Sequence, residues 1–345
     1  MFTNTHIHVQ RNIDTANIIP LRTIIDTKGF GWVLHIVQPF SDNDALDRYR
    51  TLLKYSHLTS EEIFNLVKNE YPEGTVFWIL AIDMTNIGVG GIKRTYEEQL
   101  KELTQLKAKY PRIIKTFIHL DPRNYNIINK YNTDVIFRNE FDGIKLYTPM
   151  GYAPYDIRLD FAYADAERRG KPIITHCTMD STIHYLGSKK ELKQLVIQNV
   201  YADFINSEWK SKKELCNNFM QPLGFEYVLT RHPKLKICFA HFGRGNQWDK
   251  DILYLMHKYN GQVYCDGSYT MYDKSRWASN LLRMQDDEVF CKHFVAGSDF
   301  YMNVVEGGKS VEKQFSQELR VYMGEKYWNY YAIENTNRLM NEIIK

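Results

Sequence analysis

The chain has 345 residues, with 44 Lys+Arg against 41 Asp+Glu and a formal charge of +3, and no basic tract that would point to a nucleic-acid partner. Apolar residues make up 44% and charged residues 25%, a balance that suits a globule with a sizeable core. Apolar runs such as 32–34 and 173–174 fall far short of the ~20 residues that cross a bilayer, and polar sequence begins at once at the N-terminus, so neither a membrane span nor a secretory leader is expected.

Cys177, Cys216, Cys238, Cys265 and Cys291 are odd in number and lack any Cys-x-x-Cys spacing. They read as buried thiols in a reducing compartment, with the cytoplasm as the expected location.

Taken in chain order, segments 3–9, 76–83, 113–120, 143–147, 172–176, 236–241, 262–266 and 293–299 read as short strands. Helix-like stretches separate them. Segment 61–69 has helical periodicity, and 97–110 carries Leu100, Leu103 and Leu106 on one side. The latter opens with a capping box, Thr95-x-x-Glu98, and stops at Tyr110-Pro111. Segment 161–169 runs out at Gly170, and 225–231 at Pro233.

Eight strand–helix alternations predict an α/β chain closed as a (β/α)8 TIM barrel, one domain over residues 1–345. Such a barrel needs about 250 residues, which leaves a surplus of roughly 95. The wide gaps at about 10–75 and 177–235 assign that surplus to helical insertions after strands one and five. The apolar piece 31–37 is assigned to the first insertion and not to a ninth strand.

The strand ends carry the chemistry. His6 and His8 are two apart on a strand, so they share a face and Ile7 takes the other. Parity counted back from each terminal residue turns Ile174/His176, Ile237/Phe239/His241, Val295/Gly297/Asp299 and Gly143/Lys145/Tyr147 inward. Parallel barrels place their active sites at the C-terminal ends of the strands. Four imidazoles and one carboxylate converging there suit a divalent ion, zinc first, with open positions for water.

Lys145 needs a partner, because an ammonium alone in a barrel lumen is costly. It either becomes a carbamate bridging two metals or stays a plain lysine on loop carbonyls or a substrate carboxylate, so the count is one or two ions. Cys177 faces away from the lumen, His119 reads as structural, and the glycines at 88, 90 and 91 form a turn and not a phosphate loop.

The order His6-x-His8, Lys145 in Gly-Ile-Lys-Leu-Tyr, His176 in Ile-Thr-His-Cys, His241 in Phe-Ala-His-Phe-Gly and Asp299 in Ala-Gly-Ser-Asp resembles the amidohydrolase superfamily. It is most similar to the amidohydrolase-related branch that includes aminocarboxymuconate-semialdehyde decarboxylase, and residues 333–339 resemble that branch's C-terminal helix. The resemblance implies His6, His8, His176 and Asp299 as metal ligands. It makes Asp299 also a proton shuttle, and His241 a second ligand or a polarising group.

Activated water would then attack a small amide, ester or lactone. Non-oxidative decarboxylation on the same site is the alternative, and a metal-binding protein without turnover is another. Phosphoester hydrolysis ranks lower, for want of cationic phosphate clamps. Arg244 and Arg123 are candidates to clamp a substrate carboxylate, Tyr147 and Tyr152 to wall the pocket, and His184 to sit in a lid. A small-molecule substrate is expected, without nucleic acid or membrane, and with a homo-oligomer allowed.

Overall fold

The computed structural model describes residues 2–11, 14, 57–90, 92–179, 184–199, 211–243, 247–269, 272–300 and 312–342. Eight parallel strands follow one another in a single sheet in sequence order. They are β1 Thr3–Ile7, β2 Val76–Leu80, β3 Ile114–His119, β4 Gly143–Leu146, β5 Ile173–Thr175, β6 Ile237–Phe239, β7 Val263–Asp266 and β8 Phe294–Val295. The ring closes where Ile7 bridges Phe300, Thr5 N donates to Ala296 O (2.9 Å) and Asp299 N donates to His6 O (2.9 Å). This is the TIM barrel that the alternation predicts.

Side-chain alternation sorts each strand into two faces. Trp78, Leu80, Phe117, Ile174, Cys238, Ala240, Tyr264 and Val295 meet in one buried cluster that fills the lumen. Their neighbours Ile118, Ile144, Leu146, Ile173, Ile237, Phe239, Val263 and Cys265 join the larger cluster between sheet and helices. The β6 parity expected above is therefore off by one residue: Cys238 and Ala240 face the lumen, and Ile237 and Phe239 face outward. Parity counted back from His241 assumes that this residue continues the strand. It does not, because its backbone is left-handed (φ 64°).

The helices that frame the sheet start and stop where their local sequence dictates. Thr95 N donates to Glu98 Oε2 (2.8 Å) and Glu98 N to Thr95 Oγ1 (3.2 Å), closing the capping box of helix Tyr96–Lys109. Helix Asp160–Arg169 ends on Gly170 in the left-handed region (φ 65°). In the first insertion, helix Ser60–Lys68 packs Ile63, Phe64 and Val67 inward, while segment 31–37 lies outside the described residues. In the second, helices Lys189–Asn199 and Lys212–Met220 share a small core of Leu192, Val196, Leu215, Cys216 and Phe219.

At the far end of the chain, helix Asn335–Leu339 plugs the barrel. Asn335 Nδ2 donates to Cys291 O (2.8 Å) and Phe294 O (2.7 Å), and Leu339 enters the lumen cluster. All five cysteines are free and buried. Among the described residues, no helix is long and apolar enough to cross a membrane.

Gly143 shows how tightly the lumen is filled. A Cβ there would run into the Phe117 ring and lie 2.6 Å from Pro172 O. Gly143→Ala is therefore expected to lower unfolding stability by about 1–3 kcal/mol, read as a shift in the urea midpoint. An unshifted midpoint would show that the strand can yield.

Candidate metal centre

Seven of the site's polar side chains come from the C-terminal ends of strands or the turns just beyond them. His6 and His8 stand on the inward face of β1 and its extension, as their spacing requires. His6 Nδ1 lies 2.9 Å from Asp266 Oδ2, and His8 Nδ1 lies 2.8 Å from Leu80 O. A carboxylate and a carbonyl only accept, so both rings carry their proton on Nδ1 and turn an unprotonated Nε2 into the site.

Those two Nε2 atoms are 3.3 Å apart, and each is 3.4 Å from Asp299 Oδ1. Three lone-pair acceptors thus form a near-equilateral triangle with no hydrogen between them. Ligands of a tetrahedral ion bound at about 2.0–2.1 Å stand roughly 3.3–3.4 Å apart. The triangle has the edge lengths and the donor chemistry of a divalent-cation site, with the outer nitrogens already braced as metal-binding histidines usually are.

His241 and Asp299 are both held at φ 64°, in the left-handed region that a non-glycine residue seldom adopts. Each such residue costs of order 1–3 kcal/mol, and here the turn swings a side chain back over the barrel mouth. His241 Nε2 meets His176 Nδ1 at 3.2 Å, and the His241 ring centroid lies 5.1 Å from that of His6. His176 is thus beside the triangle and in direct contact with His241. Its own Nε2 is buried without a hydrogen-bond partner among the described residues.

Sequence reasoning passed over Asp266 and Ser268. Asp266 Oδ1 accepts from His241 N (2.9 Å), Ser268 N (3.0 Å) and the Ser268 hydroxyl, while Oδ2 takes His6 Nδ1. The signal was present: Asp266 ends β7 on its inward face, the same criterion that picked out Asp299. A second set of potential ligand atoms, on His6, His241 and Asp266, therefore adjoins that of His6, His8 and Asp299.

The electrostatics follow from burial. Desolvation, reinforced by Lys145, pushes His6 down to about 3 against the pull of Asp266. His176 is likewise driven well below its ordinary value by burial and then by His184 and His241. Burial alone would raise Asp266 and Asp299. His6 and His241 instead bring Asp266 down to about 2, and His241, His8 and His6 hold Asp299 below the usual carboxylate range. Lys145 stands inside the lumen, fully buried, its Nζ without a hydrogen-bond partner among the described residues. Burial pushes it down to about 8 although Asp266 and Asp299 favour its charge.

The remaining candidates are more scattered. Tyr147 faces His176, ring centroids 4.8 Å apart, and its hydroxyl is 2.7 Å from His184 Nδ1, so His184 does reach the mouth of the barrel. Arg123 is gripped at both ends by Asp121, through Nε (2.9 Å) and Nη2 (2.6 Å), and lies over the Tyr152 ring. Arg244 lies outside the described residues. His119 accepts from Asp83 N (2.8 Å) and bonds the Tyr152 hydroxyl (2.9 Å), a structural use. Cys177 packs outward, its thiol 3.8 Å from Met220 O.

Residues 79–285 match the family model described as amidohydrolase. No curated protein is significantly similar to the chain. Among solved structures it is similar to 5-carboxyvanillate decarboxylase from Novosphingobium aromaticivorans with bound manganese (TM-score 0.59, 11% identity, 99% of this chain and 96% of that one). It is also similar to 2,6-dihydroxybenzoate decarboxylase from Rhizobium (TM-score 0.55, 11% identity, 99% and 98%). A third is a probable 2-pyrone-4,6-dicarboxylic acid hydrolase from Acinetobacter baumannii (TM-score 0.53, 13% identity, 99% and 99%).

The buried neutral His6 has a measurable consequence in chelator-treated protein. Its pKa is about 3 folded against 6.5 ordinarily, so between those values the unfolded chain binds the extra proton. Its contribution to stability is complete above pH 6.5 and falls as pH drops, by about 1.4 kcal/mol per pH unit. His6→Asn should show a urea-stability profile flatter by that slope between pH 6.5 and 5. Identical slopes would mean that His6 is not held neutral.

Proposed function

The chain belongs to the amidohydrolase family and is an enzyme, and on that premise we propose that it is a metal-dependent hydrolase of a small amide, ester or lactone. The observation that carries this reading is the acceptor triangle. His6 Nε2, His8 Nε2 and Asp299 Oδ1 stand 3.3–3.4 Å apart with no proton to share, an arrangement that repels itself unless a cation sits among them. His6, His8 and Asp299 would hold that ion, with His176 completing the donor set and His241 orienting it. Zinc is the first choice for imidazole and carboxylate together, with one or two ions. Such an ion supplies Lewis acidity, polarising a carbonyl and easing deprotonation of water.

The protein's own groups do the rest. Asp299 is a carboxylate held ionised at the barrel mouth. It takes a proton from the attacking water and returns it to the leaving group, the task of a general base turned general acid. Tyr147, with its hydroxyl on His184, forms the wall beside His176 against which substrate lies. Arg244 is the candidate clamp for a substrate carboxylate. Arg123 is already forked onto Asp121 and serves better to brace Tyr152. Lys145, if it reacts with carbon dioxide, would add a bridging carbamate.

Decarboxylation is the second reading. Two solved structures that share this fold over nearly the whole chain bear decarboxylase names, one of them with manganese. The same residues would serve it, with Asp299 moving a proton to or from carbon in place of water.

Metal analysis of protein purified without chelators should find a transition metal at one or two per chain. Turnover across amides, lactones, esters and aromatic carboxylates should depend on Asp299, with Asp299→Asn losing at least a hundredfold in kcat. Oxygen-18 from labelled water entering the product marks hydrolysis. Release of carbon dioxide without it marks decarboxylation. A metal-replete chain with no Asp299-dependent turnover of either kind would leave only a binding role.

A further inference from the structure

Asp266 lies at the centre of more hydrogen bonds than its place behind the site would require. It is fully buried, and none of its four partners is an arginine or lysine. Both oxygens are spoken for by donors whose direction is known. His241 N and Ser268 N are backbone amides and can only donate, and both reach Oδ1. The Ser268 hydroxyl also reaches Oδ1, so its single proton is committed there. Ser268 Oγ is left with lone pairs only, and it lies 2.9 Å from His241 Nδ1 and 3.1 Å from His6 Nδ1.

A proton order follows along the chain of contacts. With Oγ accepting, His241 must carry its proton on Nδ1. Its Nε2 is then an acceptor, and the atom it meets at 3.2 Å is His176 Nδ1. His176 must therefore carry its proton on Nδ1, which leaves its Nε2 unprotonated. That Nε2 is the atom buried with no partner among the described residues. His6 reaches the same state directly, donating Nδ1–H to Asp266 Oδ2.

We infer that Asp266 and Ser268 form a tautomer-setting relay, in which one carboxylate on β7 fixes the protonated nitrogen of His6 directly and those of His241 and His176 through one hydroxyl. Both are positioning residues, since both are fully buried and their polar atoms are committed to the histidines and to neighbouring amides. His8 is independent of the relay, being set by Leu80 O. The relay also assigns His241 a role: with its Nδ1 proton given to Ser268 and its Nε2 accepting from His176, the neutral ring orients His176 and has no N–H left for an oxyanion. This rests on the cation reading only for its purpose. The proton order itself is a property of the metal-free chain.

Two variants break the relay at different points. Ser268→Ala removes the closer acceptor of the His241 proton, the hydroxyl at 2.9 Å, and leaves only the Ser268 carbonyl at 3.4 Å, while Asp266 stays on His6. In nitrogen-15 histidine spectra of metal-free protein, His241 and His176 should read as Nδ1-protonated neutral rings in the parent. In Ser268→Ala both should shift toward the Nε2-protonated form, with His8 unchanged.

Asp266→Asn acts on His6. The two backbone amides and the serine hydroxyl demand the amide oxygen at the Oδ1 position, so the new NH2 must face His6 Nδ1. His6 is then forced to protonate Nε2, inside the acceptor triangle. Zinc affinity, measured by competition with a chromogenic chelator, should fall at least tenfold, within the roughly 10–100-fold span known for partners behind metal ligands. Folding of both variants is checked by their near-ultraviolet dichroism.

Unchanged His241 and His176 spectra in folded Ser268→Ala would overturn the relay, as would parent-like zinc affinity in folded Asp266→Asn. If Asp266→Asn does not fold, the Ser268→Ala spectra decide alone. A parent chain with the assigned tautomers that binds no zinc would sink the cation reading and leave the relay standing. Zinc binding with the opposite tautomers would do the reverse.

Discussion

Lone pairs from His6, His8 and Asp299 point at one another across 3.3–3.4 Å, at the mouth of a barrel whose lumen holds a buried apolar cluster. No arrangement of neutral groups makes that contact favourable, and it persists only because the surroundings over-determine each ring. His8 is tied to the Leu80 carbonyl, His6 to Asp266, and Asp299 is anchored through its own N–H to His6 O. Asp266 in turn stays ionised because His6 Nδ1, the His241 and Ser268 amides and the Ser268 hydroxyl all donate to it. The rest of the barrel is the scaffold that holds this contact, the candidate cation site, in place.

Part of that scaffold is backbone strain. β6 and β8 are among the shortest strands, and in each the chain soon turns left-handed, at His241 and at Asp299. Ladder pairing ends there because those φ values cannot continue a strand. What is lost in pairing is spent on aim: the turn carries His241 to His176 and Asp266, and Asp299 to the two β1 histidines. Phe242, Tyr269 and Asn341 are left-handed as well, but at His241 and Asp299 the turn aims a side chain at the site, which accords with stored preorganisation.

Much of this was legible beforehand. The His-x-His spacing put two imidazoles on one face because a strand alternates, and the eight alternations closed the barrel for the same reason that parallel sheets need crossover helices. The capping box at Thr95 and the stop at Gly170 are local chemistry and appear where the sequence places them. Asp266 was legible too, as an acidic strand end, and was passed over. Ser268 was not, since a serine two residues past a strand carries no signal until its hydroxyl is seen among two imidazoles and a carboxylate. Arg123 looked like a free clamp, but the sequence does not say that Asp121, two residues away, takes both ends of the guanidinium.

Periodicity and residue type, being properties of neighbouring positions, determined by themselves the strands, the barrel, the helix ends and the inward turn of most site residues. Tertiary structure alone decided which nitrogen each histidine offers, how His241 comes back inside after a strand whose parity points it out, and that Lys145 is enclosed without a hydrogen-bond partner among the described residues. Those outcomes depend on atoms brought together from positions as far apart as 6 and 268, and on the dihedral angles at two turns. No local pattern encodes either of them.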